Sequence, residues 1–267
     1  AVAAKAGPAM AAYTRNLYET LFRLSRDYQD RLQQESALRC GLLGRKLGHS
    51  YSPQIHGKLG DYPYALFEKE PDALEEFRVA LDDQIRFQYF LQYQFHLQWS
   101  ALRQYANGKG IRIIGDVPIY VPMDSADVWT NPELFWLDEN RNPVAVAGCP
   151  PDAFTADGQL WGNPLYRWDV MKQTGFDWWL RRLYAAGKLY DVIRIDHFRG
   201  LDEYWAVPYG ETTARNGQWL PGPGMDLVGA LNGWFRNLSF IAEDLGYPTP
   251  EVAQLLQDSK WPGMKVL

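Results

Sequence analysis

From residue 84 onward, amphipathic helical stretches alternate with short runs of β-branched residues. That alternation constrains the fold more than any other feature. In QIRFQYFLQYQFHLQWSALRQYA, about 84–106, Phe87, Leu91, Phe95, Trp99, Leu102 and Ala106 recur at helical spacing on one face. Asn107 and Gly108 follow, a usual place for a left-handed cap. IRIIGDVPIYV (111–121) is then a run of the kind buried on both sides in a parallel sheet. Beyond it FDWWLRRLYAAGK reads as helix, DVIRID as strand, 226–237 as helix, SFIAED as strand, EVAQLLQD as helix and PGMKVL as a last strand. Such alternation is the pattern of βα units around a parallel sheet, so the expected fold class is α/β. The segments 122–168 and 202–225, dense in Pro, Gly, Asp and Asn, read as long loops, and ordered loops of that length are usually functional.

Two of the strands carry charge. In DVIRID, Ile193 and Ile195 share one face, while Val192, Arg194 and Asp196 share the other. In FIAED, Ile241 and Glu243 share a face and Asp244 lies opposite. Asp196 and Glu243 thus both stand at the carboxyl end of a strand, where parallel α/β folds place ligands and chemistry. Arg194 and Asp196 fit a buried ion pair that fixes packing. They also fit a reaction centre, in which a guanidinium keeps one acid ionised while a second acid moves protons. A pair of carboxylates about 5–5.5 Å apart is what retaining glycosidic chemistry needs. Asp116, beside Gly115 at the end of another strand, suits a sugar hydroxyl, the orientation of the arginine, or a turn before Pro118.

Composition narrows the partners. Net charge is −5, from 27 Lys+Arg against 32 Asp+Glu, with no dense basic run, which argues against nucleic-acid and anionic-membrane partners. Aromatic residues make up 15 % of the chain, including 11 Trp, enough for a packed core or for exposed rings that stack on sugar faces. Cys40 and Cys149 stand far apart and the four histidines form no zinc-like spacing, so neither a disulfide framework nor a metal is expected. The chain shows no signal peptide and no membrane-length apolar run, so a cytoplasmic location is the default expectation.

With these residues in view, 84–267 resembles the 4-α-glucanotransferases of the amylomaltase (disproportionating enzyme) type. The resemblance is carried by GIRIIGDVPIYVPMDSADVW, GCPPDAFTADGQLWGNPLYRW, DVIRIDHFRGLDEYWAVP, GPGMDL, IAEDLGYPTPEV and PGMKVL. It implies a (β/α)8 TIM-type barrel and transfer of 1,4-α-glucan segments to a new acceptor hydroxyl by a retaining double displacement, with no cofactor. By that resemblance Asp196 is the nucleophile and Glu243 the general acid/base. Arg194 contacts the nucleophile, His197 lines the donor subsite, and Asp116 ends the third barrel strand. Asp152, Phe154, Trp161 and Asn163 match the loop that folds over the glucan, and such a loop would exclude water. Partners are then 1,4-α-glucans and malto-oligosaccharides, and the oligomeric state stays open. The family's third carboxylate, in a later His-Asp motif, has no counterpart before the chain stops. A partial barrel of about strands 3–6 is therefore expected, incomplete and with open edges. A non-catalytic malto-oligosaccharide-binding remnant is the alternative.

A foreign N-terminal segment precedes this part. RCGLLGRKLGHSYSPQIHGKLGDYPYALFEKEP, about 39–71, resembles the start of shikimate dehydrogenase, with Ser50 and Ser52 matching the serines that bind the shikimate carboxylate. That family's catalytic-lysine segment is absent, and GPGMDL (222–227) lacks the third glycine of a dinucleotide loop, so hydride transfer is not expected. The expected organisation is 1–38, a helical segment with a stripe of Leu17, Leu21, Leu24, Tyr28 and Leu32; 39–80, the dehydrogenase-like fragment; and 84–267, the partial barrel.

Overall fold

The computed structural model describes residues 40–44, 64–68, 74–246 and 249–265, the first two segments and Leu74 by backbone alone. The stripe expected in 1–38, and Ser50 and Ser52, lie outside the described residues. The chain divides into two units, 1–105 and 106–267.

In the first unit β1 (Cys40–Gly44) and β2 (Tyr64–Glu68) pair in parallel, Cys40 opposite Tyr64 and Gly44 opposite Glu68. Helix α1 (Leu74–Ala80) leads into α2 (Asp82–Gly108), whose last turn crosses the division. Asp82 and Asp83 in the first turn of α2 suit the positive end of the helix dipole. The stripe expected on this helix is its more covered side: Phe87, Leu91, Phe95 and Trp99 are half-buried, whereas Tyr89 and Tyr93 are exposed. Gly110 (φ 75°) takes the left-handed turn, two residues beyond the expected cap.

Along the second unit run β3 (Ile114–Val117), α3 (Ala126–Thr130), β4 (Ala145–Cys149), β5 (Gln159–Pro164), α4 (Trp168–Gln173), α5 (Asp177–Leu189), β6 (Val192–Ile195), β7 (Glu203–Pro208), β8 (Gln218–Pro221), α6 (Gly224–Trp234), β9 (Ser239–Ala242) and α7 (Pro250–Ser259). A parallel sheet of order β3-β6-β9 forms the partial barrel. Ile193 and Ile195 of β6 are fully buried, in one core with Trp179 and Leu183 of α5, Leu227 and Leu231 of α6 and Val252 and Leu255 of α7. Each such aliphatic side chain contributes about 1.5–3 kcal/mol through burial. Helix α7 starts where the Thr249 hydroxyl accepts the Val252 N–H and Pro250 occupies a first-turn position.

Three expectations are corrected. Strand β3 covers four residues rather than 111–121, and it is not buried on both sides: Gly115 and Val117 are buried, Ile114 and Asp116 exposed. Pro118 has no N–H to extend the ladder, so the chain leaves the sheet there, although Ile119, Tyr120 and Val121 stay in the core. The two long loops also hold an antiparallel sheet of order β5-β4-β7-β8. Its strands AVAGC and QLWGNP hold small residues and, at Gly162, Asn163 and Pro164, usual strand breakers, and their pairing is irregular between Val146 and Gly148, so neither shows a period of two. Finally, PGMKVL carries no strand among its described residues. The main chain of 262–264 follows the end of β9 by other bonds: Ala242 N–H donates to the Pro262 carbonyl, and Met264 N–H to the side chain of Asp244.

Candidate active site

The two aspartates of DVIRID separate by role. Asp191, at the amino end of β6, accepts from Asn107 Nδ2 (2.7 Å) and the Ile113 N–H (2.8 Å), holding the start of β3 in place. At the carboxyl end, Arg194 Nη1 donates to Asp196 Oδ1 (2.8 Å) and to Asp116 Oδ1 (2.6 Å). Register explains the second bond, because Asp116 lies opposite Arg194 in the β3–β6 pairing. Arg194 Nε donates to Met264 Sδ at 3.1 Å. Burial works against the Arg194 charge, but the bonds to Asp116 and Asp196 outweigh it and hold the guanidinium above its ordinary range. Asp116 thus bonds the arginine, a contact that fits one of the three roles its sequence position allowed.

Glu243 follows β9 as Asp196 follows β6, and Ile195 pairs with Ala242, so the two acids stand at the ends of adjacent strands in the same register. The Glu243 N–H donates to the Ile195 carbonyl (3.0 Å) and the Phe198 N–H to the Glu243 carbonyl (3.0 Å). The Glu243 carboxylate accepts the His197 N–H at Oε2 (2.9 Å) and the Leu245 N–H at Oε1 (3.1 Å). His197 sits in the left-handed region at φ 52°. That turn aims its N–H at Glu243 directly after Asp196.

Burial pushes the His197 imidazole down to about 4; the Asp196 charge pulls it up and Arg199 lowers it further. The ring is therefore neutral at pH 7. Its Nε2 is buried with no hydrogen-bond partner. The Trp161 ring, from β5, meets the imidazole edge-on at 4.9 Å, which brings the antiparallel sheet to the carboxyl end of the parallel one. Asn163 Nδ2 donates to the Val121 carbonyl (3.1 Å) and so ties β5 to the segment after β3. Asp152 uses one oxygen on its own loop, accepting from the N–H groups of Phe154 and Thr155 and from the Thr155 hydroxyl. The Thr155 and Phe154 N–H groups hold its carboxyl below the ordinary range. Phe154, at the tip of this turn, is 95 % exposed.

Asp116, Arg194, Asp196, His197, Glu243 and Trp161 are thus linked through direct contacts, whereas Asp152 and Phe154 lie in the turn before β5 and Asn163 on β5 bonds the main chain after β3. Sequence reasoning did not single out Met264: PGMKVL read as a strand, and nothing in it pointed to a contact with Arg194. A cavity of about 880 Å³ lies elsewhere, at the amino ends of the parallel strands, lined by Arg112, Ile114, Val192, Ser239 and Trp261 among others. None of the carboxyl-end acids borders it.

Comparison with known proteins identifies the family. The family profile described as 4-alpha-glucanotransferase matches residues 52–267. The chain belongs to the 4-alpha-glucanotransferase family. A 4-alpha-glucanotransferase of Clostridium butyricum is 47 % identical over 200 residues, covering 74 % of this chain and 41 % of that protein. One of Aquifex aeolicus is 49 % identical over 202 residues, covering 76 % and 42 %. Among solved structures, the amylomaltase from Streptococcus agalactiae in complex with acarbose superposes with a TM-score of 0.71 at 47 % identity, covering 74 % of this chain and 40 % of that one. The chain spans about two fifths of the length of the curated relatives it matches. The family match starts at residue 52 and so takes in part of the stretch 39–71, which was expected to be a separate dehydrogenase-like fragment.

Proposed function

We propose that this chain carries the nucleophile and the general acid/base of a 4-α-glucanotransferase acting on 1,4-α-glucans and malto-oligosaccharides. The observation that carries the reading is the fastening of Glu243 to the main chain next to Asp196, with Arg194 bonded to the Asp196 carboxylate. In the first step Asp196 attacks the anomeric carbon as the glycosidic C–O bond breaks, and Glu243 gives its proton to the departing oxygen. In the second an acceptor hydroxyl attacks the same carbon, Glu243 takes the hydroxyl proton, and the ester to Asp196 breaks. Arg194 supports the ionised nucleophile, and Asp116 fixes Arg194. His197 and Trp161 wall the donor side, and the 150–163 loop with Phe154 lies over the glucan and keeps water out.

Incubation with maltotriose tests this reading: glucose and longer oligomers should form, and Asp196→Ala should abolish both. Wild-type protein that yields neither product overturns it. If maltoheptaose or acarbose then still binds in titration, the non-catalytic glucan-binding remnant takes its place.

For residues 39–71 we propose a separate origin as a shikimate dehydrogenase-like segment joined to the barrel part at about residue 80. The likeness of RCGLLGRKLGHSYSPQIHGKLGDYPYALFEKEP to the start of that enzyme is what supports it. Shikimate binding lost in Ser50→Ala and Ser52→Ala is the expected result; the absence of binding in the wild type counts against the segment's ligand role.

A further inference from the structure

Asp244 lies two residues beyond the end of β9, next to Glu243, and the two-carboxylate chemistry does not use it. It is nevertheless engaged. Its Oδ1 accepts the Met264 N–H at 2.7 Å, and Gly263 lies so close that an added Cβ would meet Asp244 Oδ2 at 2.5 Å. The Ala242 N–H reaches the Pro262 carbonyl at 2.9 Å. These bonds set the main chain of 262–264 against the end of β9. Set there, Met264 places its sulfur 3.1 Å from Arg194 Nε, while Nη1 of the same guanidinium holds Asp116 and Asp196.

We propose that Asp244 and Met264 are positioning residues: Asp244 holds the backbone of Met264, and the Met264 thioether fixes the plane of the Arg194 guanidinium that orients Asp196. The guanidinium is a rigid planar fork, so an anchor at Nε on one side and at Nη1 on the other fixes its rotation. A thioether is a weak acceptor. It therefore leaves the strong, charge-assisted bonds of Arg194 to the two aspartates. A carboxylate in the same place would draw the guanidinium away from them. The inference rests on the reading of Asp196 as nucleophile for its catalytic consequence, but its geometric content is measured independently.

The test uses the full chain labelled with 15N-arginine, with the Arg194 Nε–H signal assigned by its loss in Arg194→Lys. Met264→Leu keeps the shape and removes the acceptor, and hydrogen exchange at Arg194 Nε should speed up about tenfold or more. Met264→Gln restores an acceptor at similar reach and should stay within about twofold of wild type. Asp244→Ala should reproduce Met264→Leu without touching Arg194, and it decides the matter if Met264→Leu fails to fold. On maltotriose, Met264→Leu should lower kcat by about 10- to 100-fold with little change in KM, because misplacement of a reacting group costs that much. Unchanged exchange in Met264→Leu or Asp244→Ala overturns the proposal. So does a lower melting temperature with kcat intact, which marks a purely structural contact. A wild-type chain without turnover would instead sink the proposed function, while the exchange data still decide the relay.

Discussion

The carboxylate of Glu243 and the main-chain N–H of His197 are 2.9 Å apart, so the acid at the end of β9 is held by the residue that follows Asp196 at the end of β6. Two strands that pair only through backbone bonds are locked together at their tips by a side chain. The left-handed turn at His197 makes this bond, and the neighbouring Leu245 N–H completes the cradle.

Replacing Glu243 by Gln should separate proton transfer from packing. The amide oxygen can accept only one of the two N–H groups well, and the loss should cost about 1 kcal/mol in urea unfolding. Transfer from maltotriose should fall by roughly 10²- to 10⁴-fold, the usual worth of a general acid. An α-maltosyl fluoride donor, whose leaving group needs no proton, should still release fluoride. Fluoride release that falls as far as maltotriose transfer would remove Glu243 from the acid role.

His197 predicts a pH dependence of stability. Its folded value of about 4 lies below the ordinary 6.5, so between the two the unfolded chain binds the proton more readily. This contribution is fully present above pH 6.5 and is lost as pH falls toward 4, by up to about 3 kcal/mol. Asn tolerates the left-handed region, which makes His197→Asn the comparison of choice. Unfolding free energies at pH 7 and pH 4 should drop more in the wild type than in the variant. Equal drops would show that the imidazole is not buried as described.

Phe154 and Trp161 should respond differently. Phe154 is almost fully exposed, and Phe154→Ala should change stability by less than about 0.5 kcal/mol while raising hydrolysis relative to transfer. Trp161→Ala removes the edge-on contact with His197, an aromatic pair worth about 0.5–1.5 kcal/mol, and should weaken both stability and maltoheptaose binding. A Phe154 variant with an unaltered product ratio would deny the loop its water-excluding role.

Gly115 precedes Asp116 on β3, and a Cβ there would meet the Tyr190 ring at 1.9 Å. Gly115→Ala should therefore destabilise by about 1–3 kcal/mol through overpacking. Pairing it with Tyr190→Ala should recover most of that loss in a double-mutant cycle. Additive effects would show that the clash is relieved elsewhere.

The α/β class, the helices at 84–106 and 176–188, and the strand tips bearing Arg194, Asp196 and Glu243 could be read from the chain because each is a local matter. Helical spacing and β-branched runs report burial along one element, and a parallel sheet sends its strand ends to one side. The sequence also determined which residue types stand at those ends. Three other features depended on the tertiary structure. The antiparallel sheet of β5-β4-β7-β8 draws its strands from segments full of glycine, proline and small residues, and partners far along the chain complete their backbone bonds. The bond from His197 to Glu243 joins residues 46 apart, and the approach of Met264 to Arg194 joins residues 70 apart. Periodicity carries no record of such pairings: they arise only when strand register and a left-handed turn bring distant atoms within hydrogen-bond reach.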